Sequence, residues 1–408
     1  MHLTPEQETL GRRTFLKALA GTPALGLLGA AAIMKGPVAG GPVRLGIVGV
    51  GGQGRALLNN VDPAFGEIRA LCDINPAQLA RADEALLKRD LPKAAHYAEW
   101  REMLEKEDLE AVLIAVPLWM HTEVAVGCLE AGKHVLCEKM MAWDVEGCER
   151  MIRAAERSRR ILEIGYQRRY NGVYEAAYEG IVRKGLLGDI HHVRMVWHRN
   201  GNWRRTGQPP SPDYDPSRWG YPTFEHLLNW RLYWKYSQGL FAELASHQIN
   251  AVNWFLNAAP VAVTATGGVH RFNDGREVPD HIYAIWEYPG GRTATYSSVE
   301  SNAFENRYEV FFGTKATLLV RNENEALLFE EGGAARESGV LITPRENAPA
   351  ADASETRPGN APGAASSVAP SGARPSASRQ EISRFCAAVR VGTPIACGPH
   401  EALHSAKA

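Results

Sequence analysis

Residues 42–60 read PVRLGIVGVGGQGRALLNN, and the order of those residues decides the fold. The first part alternates and then runs apolar, as a strand buried in a parallel sheet does. Gly49-Val50-Gly51-Gly52-Gln53-Gly54 follows at once, and Arg55 to Asn60 reads as helix. A lone GxGxxG is weak, but between a strand and a helix it is a dinucleotide fingerprint. Gly49 permits the tight turn, Gly51 lets a pyrophosphate approach the backbone, and Gly54 lets helix and strand pack closely. Gly52 and Gln53 sit at the helix N-terminus, which offers N–H groups and positive potential to phosphates.

A second strand, Ile68 to Cys72, ends at Asp73, 24 residues beyond Gly49. The fingerprint expects an acid about 20 residues on. A carboxylate there bonds a ribose 2′-hydroxyl and repels a 2′-phosphate, so the expected cofactor is NAD rather than NADP. Asp73 as a cap for the helix starting at Pro76 is the structural alternative, and the two roles are compatible. The alternation continues through helix 76–89, a connection at His96-Tyr97, helix 98–106, strand 111–116, helix 121–131, strand 134–137, helix 144–158 and strand 161–164. Pro117 stops one strand and Gly132 stops one helix. Repeated β-α units imply a doubly wound parallel sheet with ligands at the strand C-termini.

AVPLWMH at 115–121 followed by AGKHVLCEKM at 131–140 resembles the glucose–fructose oxidoreductase / inositol dehydrogenase / rhizopine catabolism (Gfo/Idh/MocA) family. GYQRRYN at 165–171, GLLGDI at 185–190, the ExxxH of Glu243 and His247, DHIYAIWEYPGG at 280–291 and FFGTKATLL at 311–319 extend the likeness. The resemblance implies a Rossmann domain and an α+β domain whose open, mostly antiparallel sheet forms a subunit interface. It implies hydride transfer between a nicotinamide and a sugar, cyclitol or related alcohol. Lys139 matches the family's catalytic Lys, His247 its His, and Glu243 stands at the position of its Asp. Pro117, His121, Glu138 and Lys139 then join Gly49, Gly51, Gly52, Gln53, Gly54 and Asp73 as expected cofactor contacts. Met140 replaces the proline usual after the Lys, and the Lys139–Met140 bond is expected to be trans, because a cis bond is costly at a non-proline. Asn250 stands where many members carry an acid.

The expected division is a targeting segment over 1–40, the Rossmann domain over 41–165, a substrate domain over 166–339, a flexible low-complexity insertion over 340–380 and a C-terminal helical segment over 381–408. Aromatic and polar residues interleave through 166–260, as in a sugar site where ring faces stack and hydroxyls meet Arg, Asn and His. Tyr166, Arg168, Trp203, Arg204, Trp230, Tyr233 and His247 are the candidate substrate contacts, although any single Trp there is as readily a core residue. Gly239 to Phe255 reads as a helix carrying Glu243, His247 and Asn250 on one face. His247 is the expected proton acceptor, with Lys139 bonding the same oxygen and Glu243 orienting one of them; the Lys and His roles are exchangeable at this level. Glu243 and His247 resemble half a metal site, but no second pair appears, so no metal is expected.

GRRTFLK at 11–17 precedes a weakly apolar, Ala/Gly-rich stretch from Ala18 to Met34. This resembles a twin-arginine signal, which sends folded proteins through the export machinery to the periplasm or beyond. Cleavage near Val38-Ala39 or Ala39-Gly40 fits; an ordinary amphipathic helix is the alternative. Lys+Arg 45 against Asp+Glu 46 gives no support for nucleic acid as a partner. The six cysteines contain no CxxC and read as core residues, apart from a conceivable Cys386–Cys397 pair. The reading is an exported oxidoreductase with tightly bound NAD that acts on a sugar or sugar derivative and forms a homo-oligomer. Two alternatives stand beside it: an NAD-dependent glycoside hydrolase using transient oxidation, and a non-catalytic sugar-binding protein.

Overall fold

The computed structural model describes residues 3–20, 40–331 and 375–408. The first element, helix α1 (Pro5–Ala20), opens with a reciprocal cap in which the Thr4 amide donates to Gln7 Oε1 at 2.7 Å and the Gln7 amide to Thr4 Oγ at 3.2 Å. Its Phe15 is 0% exposed and joins the core of the second domain. Glu8 pairs with Arg321 at 3.0 Å and Arg12 with Glu325 at 3.8 Å. Residues 1–40 were not expected to contribute to any core, and here the structure differs. The partners that dock this helix lie some three hundred residues away and leave no mark on the local pattern. The expected cleavage point and most of the apolar stretch lie outside the described residues.

Six strands form a parallel sheet: β1 (Val43–Val48), β2 (Gly66–Cys72), β3 (Ala95–Tyr97), β4 (Ala111–Ile114), β5 (His134–Glu138) and β6 (Leu162–Gly165), in the order β3-β2-β1-β4-β5-β6. The chain reverses direction across the sheet between β1 and β4, which opens a crevice at their C-terminal ends. Helices α2 (Gly52–Asn60), α3 (Pro76–Leu87), α4 (Trp100–Lys106), α5 (His121–Glu130) and α6 (Val145–Ser158) make the crossovers. The stretch at His96-Tyr97, expected as a connection, is the edge strand β3; three residues are too short for alternation to reveal.

After the short helix α7 (Gly172–Ala177), strand β7 (Ile190–His198) enters the second sheet. A loop with helix α8 (Phe224–Leu228) leads to a π-helical turn at Phe241–Ala245 and helix α9 (Ser246–Leu256). Strands β8 (Ala262–Gly268), β9 (His281–Tyr288), β10 (Arg292–Val299), β11 (Arg307–Gly313), β12 (Ala316–Arg321) and β13 (Glu325–Glu330) complete the sheet in the order β13-β12-β11-β7-β10-β9-β8. Every pairing is antiparallel except β7 with β10. One face packs on α9, while Val263, Tyr283 and Ile285 are exposed on β8 and β9. Among the described residues no helix is long and apolar enough to cross a membrane.

The expected insertion over 340–380 lies outside the described residues up to 374. Its last residues belong to helix α10 (Ala377–Val391), which Ser376 caps and Gly392 ends at φ 70°. Ile382, Phe385 and Cys386 of α10 enter the first domain's core, and Cys397 and Ala402, the latter on α11 (Pro399–Lys407), enter it on the other side. The C-terminal segment is thus a buried part of the Rossmann unit. All six cysteines are buried free thiols, Cys386 and Cys397 included.

Phe15 gives a test of the α1 docking. Phe15→Ala in the full chain is expected to lower stability by about 3 kcal/mol, the cost of an aromatic cavity. Chemical denaturation checks it, and an unchanged midpoint means that α1 does not dock in solution.

Candidate active site

The site begins with a contact that only glycine allows. A Cβ on Gly54 would stand 1.8 Å from the Gly49 carbonyl oxygen, so α2 lies directly against the turn. Gly49 has φ +83°, and a Cβ there would meet the Ala115 carbonyl at 2.6 Å. A Cβ on Gly51 would meet nothing within 4 Å, because the loop faces an open groove. Those three positions fit a dinucleotide: two glycines pack the turn, and the third leaves room for the diphosphate.

The groove has a volume of about 430 Å³. The first domain lines it with the glycine loop from Gly49 to Gln53, with Asp73 and Asn75, and with Val116 and Pro117. Asp73 Oδ2 accepts the Val50 amide at 2.8 Å and Oδ1 accepts the Asn75 amide at 2.8 Å. The cap of α3 is Asn75, whose side chain accepts from the Ala77 amide at 3.0 Å. Asp73 is therefore a groove residue that also braces the glycine turn. Burial pushes its carboxyl up to about 6, against the pull of the two amides and Arg55. The second domain adds Arg205, Trp219, Tyr221 and Trp230 to the lining. Tyr214 of the same segment donates to the Ile74 carbonyl at 3.2 Å.

Beside the groove lies a small cavity of about 40 Å³, lined by Gln53, His121, Glu138, Lys139, Trp230, Arg231 and Glu243 among others. Gln53 Nε2 donates to Glu138 Oε1 at 2.6 Å, which ties the glycine loop to the end of β5. His121 Nδ1 lies 2.8 Å from the Met140 carbonyl and Nε2 3.0 Å from the Val116 carbonyl. Burial lowers the pKa of this ring, and its nitrogens span the ends of β4 and β5 rather than face the cavity. The Lys139–Met140 bond is cis, not trans as expected; His121 holds the Met140 carbonyl in that arrangement. Lys139 Nζ donates to the Glu243 carbonyl at 2.8 Å and to the Ala242 carbonyl at 3.5 Å, both in the π-helical turn. The Glu243 carboxylate accepts from Arg231 Nε at 2.7 Å and from Ser237 Oγ at 3.4 Å.

Of the expected helix face, Glu243 alone lines this cavity. His247 is 2% exposed and packs against Tyr166 and Trp197, at ring separations of 6.4 and 5.9 Å. It lines neither cavity. Asn250 accepts from Arg169 at 2.8 Å and donates to Ser405 at 3.0 Å, a structural role. The π-helical turn changes the helical repeat between Glu243 and His247, which an α-helical wheel does not anticipate.

Among the candidate substrate contacts, Trp230 lines both cavities. The others are directed elsewhere by charge or packing. Tyr166 is buried against His247. Arg168 pairs with Glu309 at 2.7 Å and Glu323 at 2.8 Å. Trp203 lies 3.9 Å under the Arg199 guanidinium, and Tyr233 stacks on His226 at 4.3 Å. Arg204 bonds Asp274 at 3.2 Å and Glu225. Sequence reasoning overlooked Arg205, whose only signal was adjacency to Arg204, and placed Arg231 in a polar–aromatic run without giving it a role. It also overlooked Trp119, which donates to the Tyr221 hydroxyl at 3.0 Å across the groove, although AVPLWMH contained it.

An oxidoreductase family with an NAD-binding Rossmann fold matches residues 43–166, and the GFO/IDH/MocA C-terminal domain matches residues 176–319. The chain belongs to the Gfo/Idh/MocA family. Its cofactor is NAD, which the glycine cradle and Asp73 fit. Among solved structures of this fold, aldose-aldose oxidoreductase from Caulobacter crescentus, complexed with glycerol, is similar at TM-score 0.63 and 22% identity, covering 90% of this chain and 95% of that one. A levoglucosan dehydrogenase complexed with NADH and levoglucosan is similar at TM-score 0.67 and 18% identity, covering 90% and 94%. Among curated relatives, an alpha-N-acetylgalactosaminidase from Shewanella oneidensis is 31% identical over 179 residues, 40% of this chain and 39% of the relative. A glycosyl hydrolase family 109 protein from Shewanella baltica is 30% identical over the same length. The chain thus spans about 39% of the length of these relatives.

The raised carboxyl of Asp73 makes cofactor affinity depend on pH. The ionised form accepts ribose hydroxyls; the protonated form loses charge and an acceptor. Affinity for NAD is therefore full only well above pH 6 and falls as pH drops through about 6. Without ligand the sign is opposite, since the folded pKa lies above the unfolded one and protonation relieves the cost of burial. Titrating NAD between pH 5 and 8 checks this, and Asp73→Asn is expected to remove the fall.

Proposed function

We propose that this family member oxidises a sugar hydroxyl with NAD retained through the turnover. The observation that carries the reading is Lys139 Nζ, held in a cavity that adjoins the cofactor groove. NAD, when bound, supplies the hydride acceptor. The chain's own groups then handle the proton. Lys139 Nζ, anchored on the Glu243 and Ala242 carbonyls, is the group beside the groove that takes up the hydroxyl proton as hydride leaves the adjacent carbon. Lys139 is the proton acceptor in this reading, in the role first expected of His247. Glu243 acts by fixing Arg231 and the π-helical turn. Trp230, on the wall of both cavities, offers a ring face to the sugar.

The names of the curated relatives favour a second outcome of the same oxidation. A ketone at C3 acidifies the C2 proton, and loss of that proton expels the C1 substituent. Water then adds at C1, and return of hydride to C3 restores NAD. The overall reaction is hydrolysis with no net redox change. A panel of aryl glycosides and free sugars, incubated without added NAD, separates the outcomes. Aryl release by the wild type supports cleavage, whereas one equivalent of NADH from a free sugar supports net oxidation. Lys139→Ala is expected to lower either rate by about 10²- to 10⁴-fold. Neither product from a broad panel, with NAD bound, counts against both.

We further propose that the chain is exported by the twin-arginine route and forms a homo-oligomer through the second sheet. GRRTFLK supports the first, and the exposed Val263, Tyr283 and Ile285 support the second. Replacing Arg12 and Arg13 together by Lys is expected to retain the protein in the cytoplasm. Fractionation of an expressing bacterium measures this, and unchanged export would overturn the route.

A further inference from the structure

The second domain bonds the first on both sides of the glycine turn. In the order β2-β1-β4, the end of β1 and its turn at residues 49–51 lie between the ends of β2 and β4. Ile74 follows β2, Trp119 follows β4, and both line the groove. Tyr214 Oη donates to the Ile74 carbonyl at 3.2 Å, and Tyr221 Oη accepts from Trp119 Nε1 at 3.0 Å. The ends of β2 and β4 are two strand spacings apart, about 10 Å, and residues 215–220 cover that distance. Arg218 and Trp219, in the middle of the crossing, also line the groove.

The crossing holds its own shape and rests on Trp119. Asp215 Oδ1 accepts the Ser217 amide at 2.9 Å, which caps a 3₁₀ turn at Pro216–Trp219. Gly220 ends that turn at φ +83°, and a Cβ there would stand 2.8 Å from the Trp119 ring, so the backbone lies directly on the indole. The Gly220 carbonyl accepts from Tyr236 Oη at 3.0 Å and from Lys235 Nζ at 3.2 Å. Trp119 packs on Tyr221 and Tyr236 at ring separations of 5.8 and 5.5 Å, and the two tyrosines on each other at 4.7 Å. At the other end Tyr214 is half-buried and meets Phe224 edge-on at 6.0 Å. Burial, and then the Asp73 carboxylate, push the Tyr214 hydroxyl up to about 12, so it stays a donor at neutral pH.

We infer that residues 214–221 form a strap across the cofactor groove, latched by Tyr214 on one side of the glycine turn and by Tyr221 on the other, and that NAD enters and leaves when the latches release. This deepens the proposed function and rests on NAD occupying the groove. Each latch is one neutral hydrogen bond between protein groups, enough to favour the shut form and weak enough to open. The cofactor passes only through the open form, so the strap slows entry and exit by the same factor. Retention of NAD through a turnover is then set by a rate rather than by affinity.

The full chain, after removal of any bound nucleotide, is mixed rapidly with NADH to follow entry, and the loaded chain with excess NAD to follow exit; NADH fluorescence reports both. Tyr214→Phe and Tyr221→Phe are each expected to quicken both rates by about 5-fold, the loss of one neutral hydrogen bond. The double substitution is expected to give about the product of the two, since the hydroxyls bond different elements. The Kd for NADH is expected to stay the same throughout. Gly220→Ala, whose methyl would meet Trp119, is expected to quicken both rates without touching either hydroxyl, and it carries the test if the Phe variants fail to fold. Faster exit with unchanged entry would mean that the hydroxyls hold the cofactor directly, which sinks the strap. Unchanged rates in all three variants would overturn it while leaving the cofactor in place. A wild type that binds no NADH would overturn the cofactor reading and the strap with it.

Discussion

Lys139 Nζ reaches from the end of a parallel strand to the main-chain carbonyls of a π-helical turn in the other domain. This contact sets where the reacting centre lies. A regular α-helix uses each carbonyl within its own ladder, whereas a π-helical turn alters that ladder and offers oxygen atoms to an outside donor. On the strand side, His121 lies between the chain segments that follow β4 and β5 and can bond one of their two carbonyls, and Gln53 holds Glu138. The glycine loop, the lysine and the second domain are therefore connected through a few short hydrogen bonds. A shift in any one of them displaces the others, and displacements of an ångström matter to hydride transfer.

The nucleotide half was legible because its determinants are local. Gly54 packs on Gly49 five positions away, the left-handed φ of Gly49 belongs to the turn itself, and Asp73 closes the same turn from the next strand. The family resemblance rested on such compact motifs and held across both domains. The substrate half was less legible because its side chains are assigned by partners far along the chain. Arg168 sits in a motif that reads as a pocket contact, yet Glu309 and Glu323 claim it. Arg204 and Arg205 are identical in type, yet Asp274 and Glu225 claim the first while the second lines the groove. His247 was placed by a helical wheel that assumes a uniform repeat, and the π-helical turn breaks that assumption.

The ends of the chain follow the same logic. Helix α1 carries an export-like string, but Phe15 and two ion pairs seat it on β12 and β13. Helix α10 returns across a long excursion to bury Phe385 in the nucleotide domain. Both ends thus join cores assembled from the middle of the chain, which the composition of either end does not disclose. The N-terminal helix is seated on the second domain, α10 on the first, and α11 is held by both, since its Ser405 accepts from Asn250 of α9 and Ala402 enters the first core.

The six buried thiols bear on how the protein meets an oxidant. Burial raises every one of their pKa values, with Cys128, Cys148, Cys386 and Cys397 each pushed up to about 12. Exchange with a disulfide requires a thiolate that a partner sulfur can reach. The folded chain offers neither the anion nor the access. Oxidised glutathione or a disulfide oxidase would therefore find no starting point for a mixed disulfide, and peroxide none for a sulfenic acid, until the core opened. Their reaction rate would then report the frequency of that opening, so the cysteines serve as an internal clock for the unfolding of the nucleotide domain.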